Sequence, residues 1–68
     1  MALSARNIFP GTVKKIVKGM VMAEVTIEVA PGIEIVSTIT TNSVERLGLE
    51  VGKKAEAVIK ATSVLISA

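Results

Sequence analysis

Val21-Met22-Ala23-Glu24-Val25-Thr26-Ile27-Glu28-Val29-Ala30-Pro31-Gly32-Ile33-Glu34-Ile35-Val36-Ser37-Thr38-Ile39 is the stretch that decides the fold. Val21, Ala23, Val25, Ile27 and Val29 alternate with Met22, Glu24, Thr26 and Glu28. A period of two puts one set on a buried face and the other on a wetter face, which predicts a strand. Pro31-Gly32 follows as a turn signal, because proline presets φ and glycine tolerates a positive φ. Ile33, Ile35, Ser37 and Ile39 then share one side of a second strand. The two strands form a predicted hairpin.

Upstream, Gly11–Val17 reads as a strand entered through Pro10-Gly11, and Lys18-Gly19 turns the chain into the hairpin. Downstream, the period changes at Thr41. Asn42 suits a helix N-cap, with Glu45 three residues later in a box-like pattern. Val44 and Leu47 share a helical face, and Gly48 suits the C′ position. A short helix over 43–47 is therefore expected. Beyond the turn at Gly52, Ala55, Ala57 and Ile59 alternate with Glu56, Val58 and Lys60 as another strand. Lys60-Ala61-Thr62-Ser63 is a polar break, and Val64-Leu65-Ile66 reads as a last short strand. This order predicts an all-β fold with small α content, a five-stranded OB-like barrel with one short helix between strands 3 and 4. A barrel also removes the sheet edges that a valine-rich chain must protect. No internal repeat or linker divides residues 1–68, which read as a single domain.

Composition excludes several classes of function. The 68 residues are 50% hydrophobic, with Phe9 as the single aromatic, and eight Lys/Arg against six Glu give a net charge of +2. Cys, His, Asp, Trp and Tyr are absent. A disulfide framework, a Cys/His zinc site and a His-based triad are all impossible. Ser4 with Lys60 is a conceivable Ser–Lys pair by spacing, but nothing argues for a lysine kept neutral by burial, so no enzyme is expected. Apolar runs are short and broken by charge, so no membrane helix is expected. The Met1–Asn7 run has no stretch of leader length, which makes the cytoplasm the default address. A domain this small buries only about 60% of its unfolded-chain surface. So apolar a chain is expected to bury more against copies of itself, as a homo-oligomer.

Three clusters collect hydrogen-bond donors and contain no carboxylate: Ser4-Ala5-Arg6-Asn7; Thr38, Thr40, Thr41, Asn42 and Ser43; and Lys60-Ala61-Thr62-Ser63. Hydroxyls, cations and backbone N–H groups left free at strand breaks and helix starts suit an anion. Each cluster also has a plain structural alternative. Asn42 and Ser43 serve as helix caps, Thr62-Ser63 as turn residues, and residues 4–7 as a frayed terminus.

Ser4-Ala5-Arg6-Asn7, Gly11-Thr12-Val13, Ile39-Thr40-Thr41-Asn42-Ser43, Leu47-Gly48-Leu49 and Val58-Ile59-Lys60-Ala61 stand at separations that resemble the molybdenum-pterin-binding proteins, or molbindins. The resemblance covers almost the whole chain. It implies a Mop, or TOBE-like, OB domain that binds molybdate or tungstate for intracellular storage or homeostasis. It also implies a hexamer, a trimer of dimers, with oxyanions held between subunits. Carried over by position, the oxyanion ligands are Ser4, Arg6, Lys60 and Ala61 through its backbone. Thr40 and Ser43 would come from a partner subunit. A second oxyanion site is placed at Lys18, Gly19 and Met20, a turn with a cation and free amides. No metal ion would be ligated directly by the protein. The chain departs from the family pattern at Ile8-Phe9-Pro10, at Met20 and Met22, and at Pro31.

Molybdate is a tetrahedral dianion without a proton, so its pocket should offer donors only. Hydrogen phosphate would leave its proton unpaired there, at about 1–3 kcal/mol, a rejection of roughly 5- to 150-fold. Sulfate carries no proton and has to be rejected by its smaller size. Tungstate matches molybdate closely. Two rival readings are a nucleic-acid-binding OB module and a structural oligomer without a ligand. Single strands stack on aromatic platforms, which one Phe cannot supply. A charge of +2 is also weak attraction for a phosphate backbone. No nucleic acid is therefore expected as a partner.

Overall fold

In the computed structural model, which describes residues 3–68, the chain runs β1 (Asn7–Lys18), β2 (Met22–Ala30), β3 (Ile33–Thr40), α1 (Thr41–Arg46) and β4 (Lys54–Ile59). A 3₁₀ turn over Ala61–Ser63 follows. Met1 and Ala2, part of the run read for a leader, lie outside the described residues. β2 and β3 pair antiparallel from Met22↔Thr40 to Ala30↔Ile33, with Pro31-Gly32 at the tip. Gly32 has φ 77°, the left-handed value that its turn position needs.

The strands form one sheet in the order β3-β2-β1-β4. β1 pairs with β4 over Asn7–Thr12 and with β2 over Thr12–Lys18, so it changes partner at Thr12. A register shift between Val13 and Lys15 bends it there. Gly11 marks the close approach: a Cβ on it would fall 2.5 Å from the Glu28 carbonyl oxygen. The result is a four-stranded curled half-barrel. The expected fifth strand, Val64–Ile66, is not one in a single chain: the segment forms no ladder, and Leu65 and Ile66 are 91% and 86% exposed. β1 also begins at Asn7 rather than at Gly11. Pro10 lies inside it, where β1 pairs only with β4, and a one-sided position tolerates a missing N–H.

Val13, Ala23, Val25, Ile27 and Ala57 line the inner face of the sheet, and Val44 from α1 packs on them. Each side chain is small, so each burial contributes at most ~1.5–2 kcal/mol. Between β3 and β4 the curl stays open as an apolar groove of about 400 Å³, whose walls include Ile35, Ile39, Leu49 and Val58.

The helix starts two residues earlier than the sequence pattern predicts. Its N-cap is Thr40, not Asn42, with ψ 147° and Oγ1 accepting from the Ser43 N–H at 3.0 Å. The physical reason is tertiary. Pairing with Met22 holds Thr40 extended, and the Thr41 N–H donates to the Val21 carbonyl at 2.8 Å. At the other end, Gly48 N–H donates to Glu45 O at 3.1 Å and Leu49 N–H to Val44 O at 3.0 Å. With Gly48 at φ 65°, this is the expected glycine stop in its Schellman form.

Candidate functional site

The β1–β4 register brings two of the three donor clusters together. Asn7 pairs with Ile59, and the Asn7 side-chain amide donates to the Ile59 carbonyl at 3.3 Å. Arg6 directly precedes Asn7 and Lys60 directly follows Ile59, so the chain leaves this last rung with a cation on each strand. Ser4, Arg6, Lys60 and Ala61 are all exposed. The 3₁₀ turn after Lys60 is closed by Ser63 N–H to Lys60 O at 2.8 Å and Val64 N–H to Ala61 O at 3.3 Å. Among the described residues the ion pairs are Lys18–Glu45 and Lys53–Glu50, so Arg6 and Lys60 keep their charge uncompensated within the chain. That is the electrostatics an anion needs.

Thr40 and Ser43 lie elsewhere. β3 ends beside Met22 and the β1–β2 turn, at the Lys18 end of the twelve-residue β1. At ~3.3 Å per residue, the ends of β1 are on the order of 20–30 Å apart even when the strand is bent. One chain therefore cannot close a single pocket from all six residues. The two hydroxyls touch each other: Thr40 Oγ1 donates to Ser43 Oγ at 2.7 Å while it accepts the Ser43 N–H. Two hydroxyls that share one hydrogen bond keep one proton between them for a ligand. The pair is thus a single outward donor, held by the helix start.

The Lys18-Gly19-Met20 turn is partly engaged. Gly19 N–H donates to Met22 O at 2.8 Å, so this amide is not free as expected, because it closes the turn. The Gly19 carbonyl accepts from Thr41 Oγ1 at 2.8 Å. Lys18 Nζ lies 3.9 Å from Glu45 Oε2. Met20 is 99% exposed. Sequence reasoning passed over Thr41 and Asn7 as positioning groups. Their bonds reach residues 22 and 52 positions away along the chain, and no local spacing signals them.

A second hollow, of about 540 Å³, lies on the flank of the half-barrel and is lined by Glu28 and Glu56 beside Lys54 and Thr12. Two carboxylates make it a poor seat for a dianion. Among the described residues no group of three or more His, Cys, Asp or Glu is placed to hold a metal ion. No helix there is long and apolar enough to cross a membrane.

The TOBE domain family model matches residues 3–66. Molybdenum-pterin-binding protein 1 of Clostridium pasteurianum is 47% identical over 68 residues, with 100% of both chains covered. A molybdate-binding protein from Sporomusa ovata, solved at high resolution, superposes with TM-score 0.93 at 43% identity, again over 100% of both chains. The cytoplasmic molybdate-binding protein ModG, crystallised with molybdate bound, superposes with TM-score 0.85 at 54% identity. That match spans 90% of this chain and 43% of ModG. With its half-barrel, a family match over residues 3–66 and a relative 47% identical over the full length of both chains, the chain belongs to the TOBE-domain family of molybdenum-pterin-binding proteins.

Proposed function

We propose that this protein binds molybdate or tungstate at sites completed between copies of the chain, as a soluble intracellular store. The observation that carries the reading is the separation of the donor sets. Arg6 and Lys60 adjoin the last β1–β4 rung, Asn7 with Ile59, at one end of β1, and neither has a carboxylate partner among the described residues. The Thr40–Ser43 hydroxyl pair stands at the other end. Each set is half a pocket, and a second copy supplies the missing half. Ser4, Arg6, Lys60 and the Ala61 backbone take one side of the dianion, and the partner's hydroxyl pair takes the other. Lys18, Gly19 and Met20 form a secondary anion position, with Lys18 as its charge.

The assembly follows from the same incompleteness. The apolar groove between β3 and β4 is open, and Val64, Leu65 and Ile66 are exposed beside no strand of their own chain. A neighbour's Val64–Ile66 segment would bury both. Repeated, this yields the homo-oligomer, a hexamer built as a trimer of dimers, that the family resemblance implies.

Native mass with and without molybdate tests both halves of the proposal. The expected result is an oligomer that retains oxyanions at defined stoichiometry. A 7 kDa monomer that retains none would overturn it. Binding to the assembled form alone also raises its stability, by about 2.7 kcal/mol at a hundredfold excess over Kd. A melting temperature that stays flat as molybdate is raised past saturation would break the link between binding and assembly.

A further inference from the structure

We infer that Thr41 is a positioning residue for oxyanion binding: it ties the β1–β2 turn to the Thr40–Ser43 hydroxyl pair and thereby sets where that pair's single free proton points. The inference rests on the assignment of Thr40 and Ser43 to the site. Its own observations are separate.

Thr41 is the first residue of α1, where a backbone N–H has no partner inside the helix. It finds one in the Val21 carbonyl, at 2.8 Å. The Thr41 hydroxyl donates to the Gly19 carbonyl, also at 2.8 Å. One residue thus grips the turn at two points, and it does so between Thr40 and Ser43. The turn is itself a stiff anchor. It is closed by Gly19 N–H to Met22 O, and a Cβ at Gly19 would fall 2.8 Å from that same oxygen. Helix α1 has six residues and one buried side chain, Val44. Apart from the Thr40–Met22 pairing and the Thr40 cap, so short a helix has little else to fix its first turn. Without the grip of Thr41, the first turn of α1 rotates more freely about Val44. Ser43 Oγ, which keeps the free proton, turns with it against the paired Thr40, and the partner-facing proton is averaged over several directions.

Thr41→Val keeps the shape and the N–H bond and deletes only the hydroxyl bond, while Thr41→Ser keeps the hydroxyl. Calorimetric titration with molybdate, well below the melting temperature, compares both variants with the parent and with Ser43→Ala. The expected result is binding about three- to tenfold weaker for Thr41→Val, the equilibrium worth of one neutral hydrogen bond. Thr41→Ser should stay within twofold of the parent. Native mass should be unchanged in both. A residue with a purely structural role would lower the melting temperature of Thr41→Val and leave the affinity alone. That result, seen while Ser43→Ala weakens binding tenfold, overturns the role of Thr41 and leaves the site assignment standing. Unchanged binding in Ser43→Ala overturns the site assignment, and this inference with it.

Discussion

At the Asn7 end of β1, Ser4, Arg6, Lys60 and Ala61 are exposed and lie just outside the paired strands, anchored only through the adjoining Asn7–Ile59 rung and its side-chain bond. At the Lys18 end, Thr40 and Ser43 sit in a capped helix start, bonded to each other, tied through Thr41 to a closed turn and backed by the fully buried Val44. One end therefore supplies charge with little framing, and the other supplies a neutral donor with a rigid frame. The difference matches what each would do to an anion under the proposed function. Charge acts over distance and tolerates imprecise placement, whereas a hydroxyl is useful only if its one proton points correctly.

The sharpest way to break this comparison is at the charged end. Arg6→Ala removes a charge-assisted donor and should weaken molybdate binding about 10- to 100-fold in calorimetric titration. Its effect on unfolding should be small, because the side chain is exposed. Affinity within twofold of the parent would take Arg6 out of the site. At the framed end the largest effect falls on stability. Val44→Ala leaves a void beneath α1 and should cost about 2 kcal/mol in denaturant unfolding. A loss under 0.5 kcal/mol would mean that the helix does not depend on this anchor. Thr40→Ala removes the N-cap acceptor and should cost about 1 kcal/mol, together with a measurable loss of anion affinity. If stability falls and affinity holds, the hydroxyl pair frames the helix and nothing more. Glu45→Gln should change stability least, by under about 0.5 kcal/mol, since the Lys18–Glu45 pair is long and both partners are half-exposed or more.

Local patterns foretold the regions whose structure is local. The hairpin, Pro31-Gly32 at its tip and the glycine stop at Gly48 all name their own neighbours and stand, but the alternation holds only in part: Val21, expected inside, lies before β2 and is exposed, and Thr26, expected on the wetter face, is buried. The misses occur where the deciding partner is distant. The helix start moved from Asn42 to Thr40 because Met22, Val21 and Gly19 hold Thr40 and Thr41 from across the fold. β1 reached back to Asn7 because β4, far along the chain, pairs with that segment. Val64–Ile66 has the composition of a strand, but within its own chain it has no strand to join. The site divides in the same way. The donor types were readable in the clusters around Arg6, Thr40 and Lys60. That the strand ends next to Arg6 and Lys60 are paired, and that both stand a strand's length from Ser43, is a property of register.

The Asn7–Ile59 pairing also has a consequence in time. It joins residues 52 positions apart, whereas the β2–β3 hairpin closes between Ala30 and Ile33, three positions apart. The entropy of loop closure makes the hairpin early and the closure late. On a ribosome, Arg6 emerges long before Lys60 clears the exit tunnel. A chain stalled between the two can thus present a folded hairpin yet lack half of the cationic end, so the proposed capture of an anion there would have to await the docking of β4.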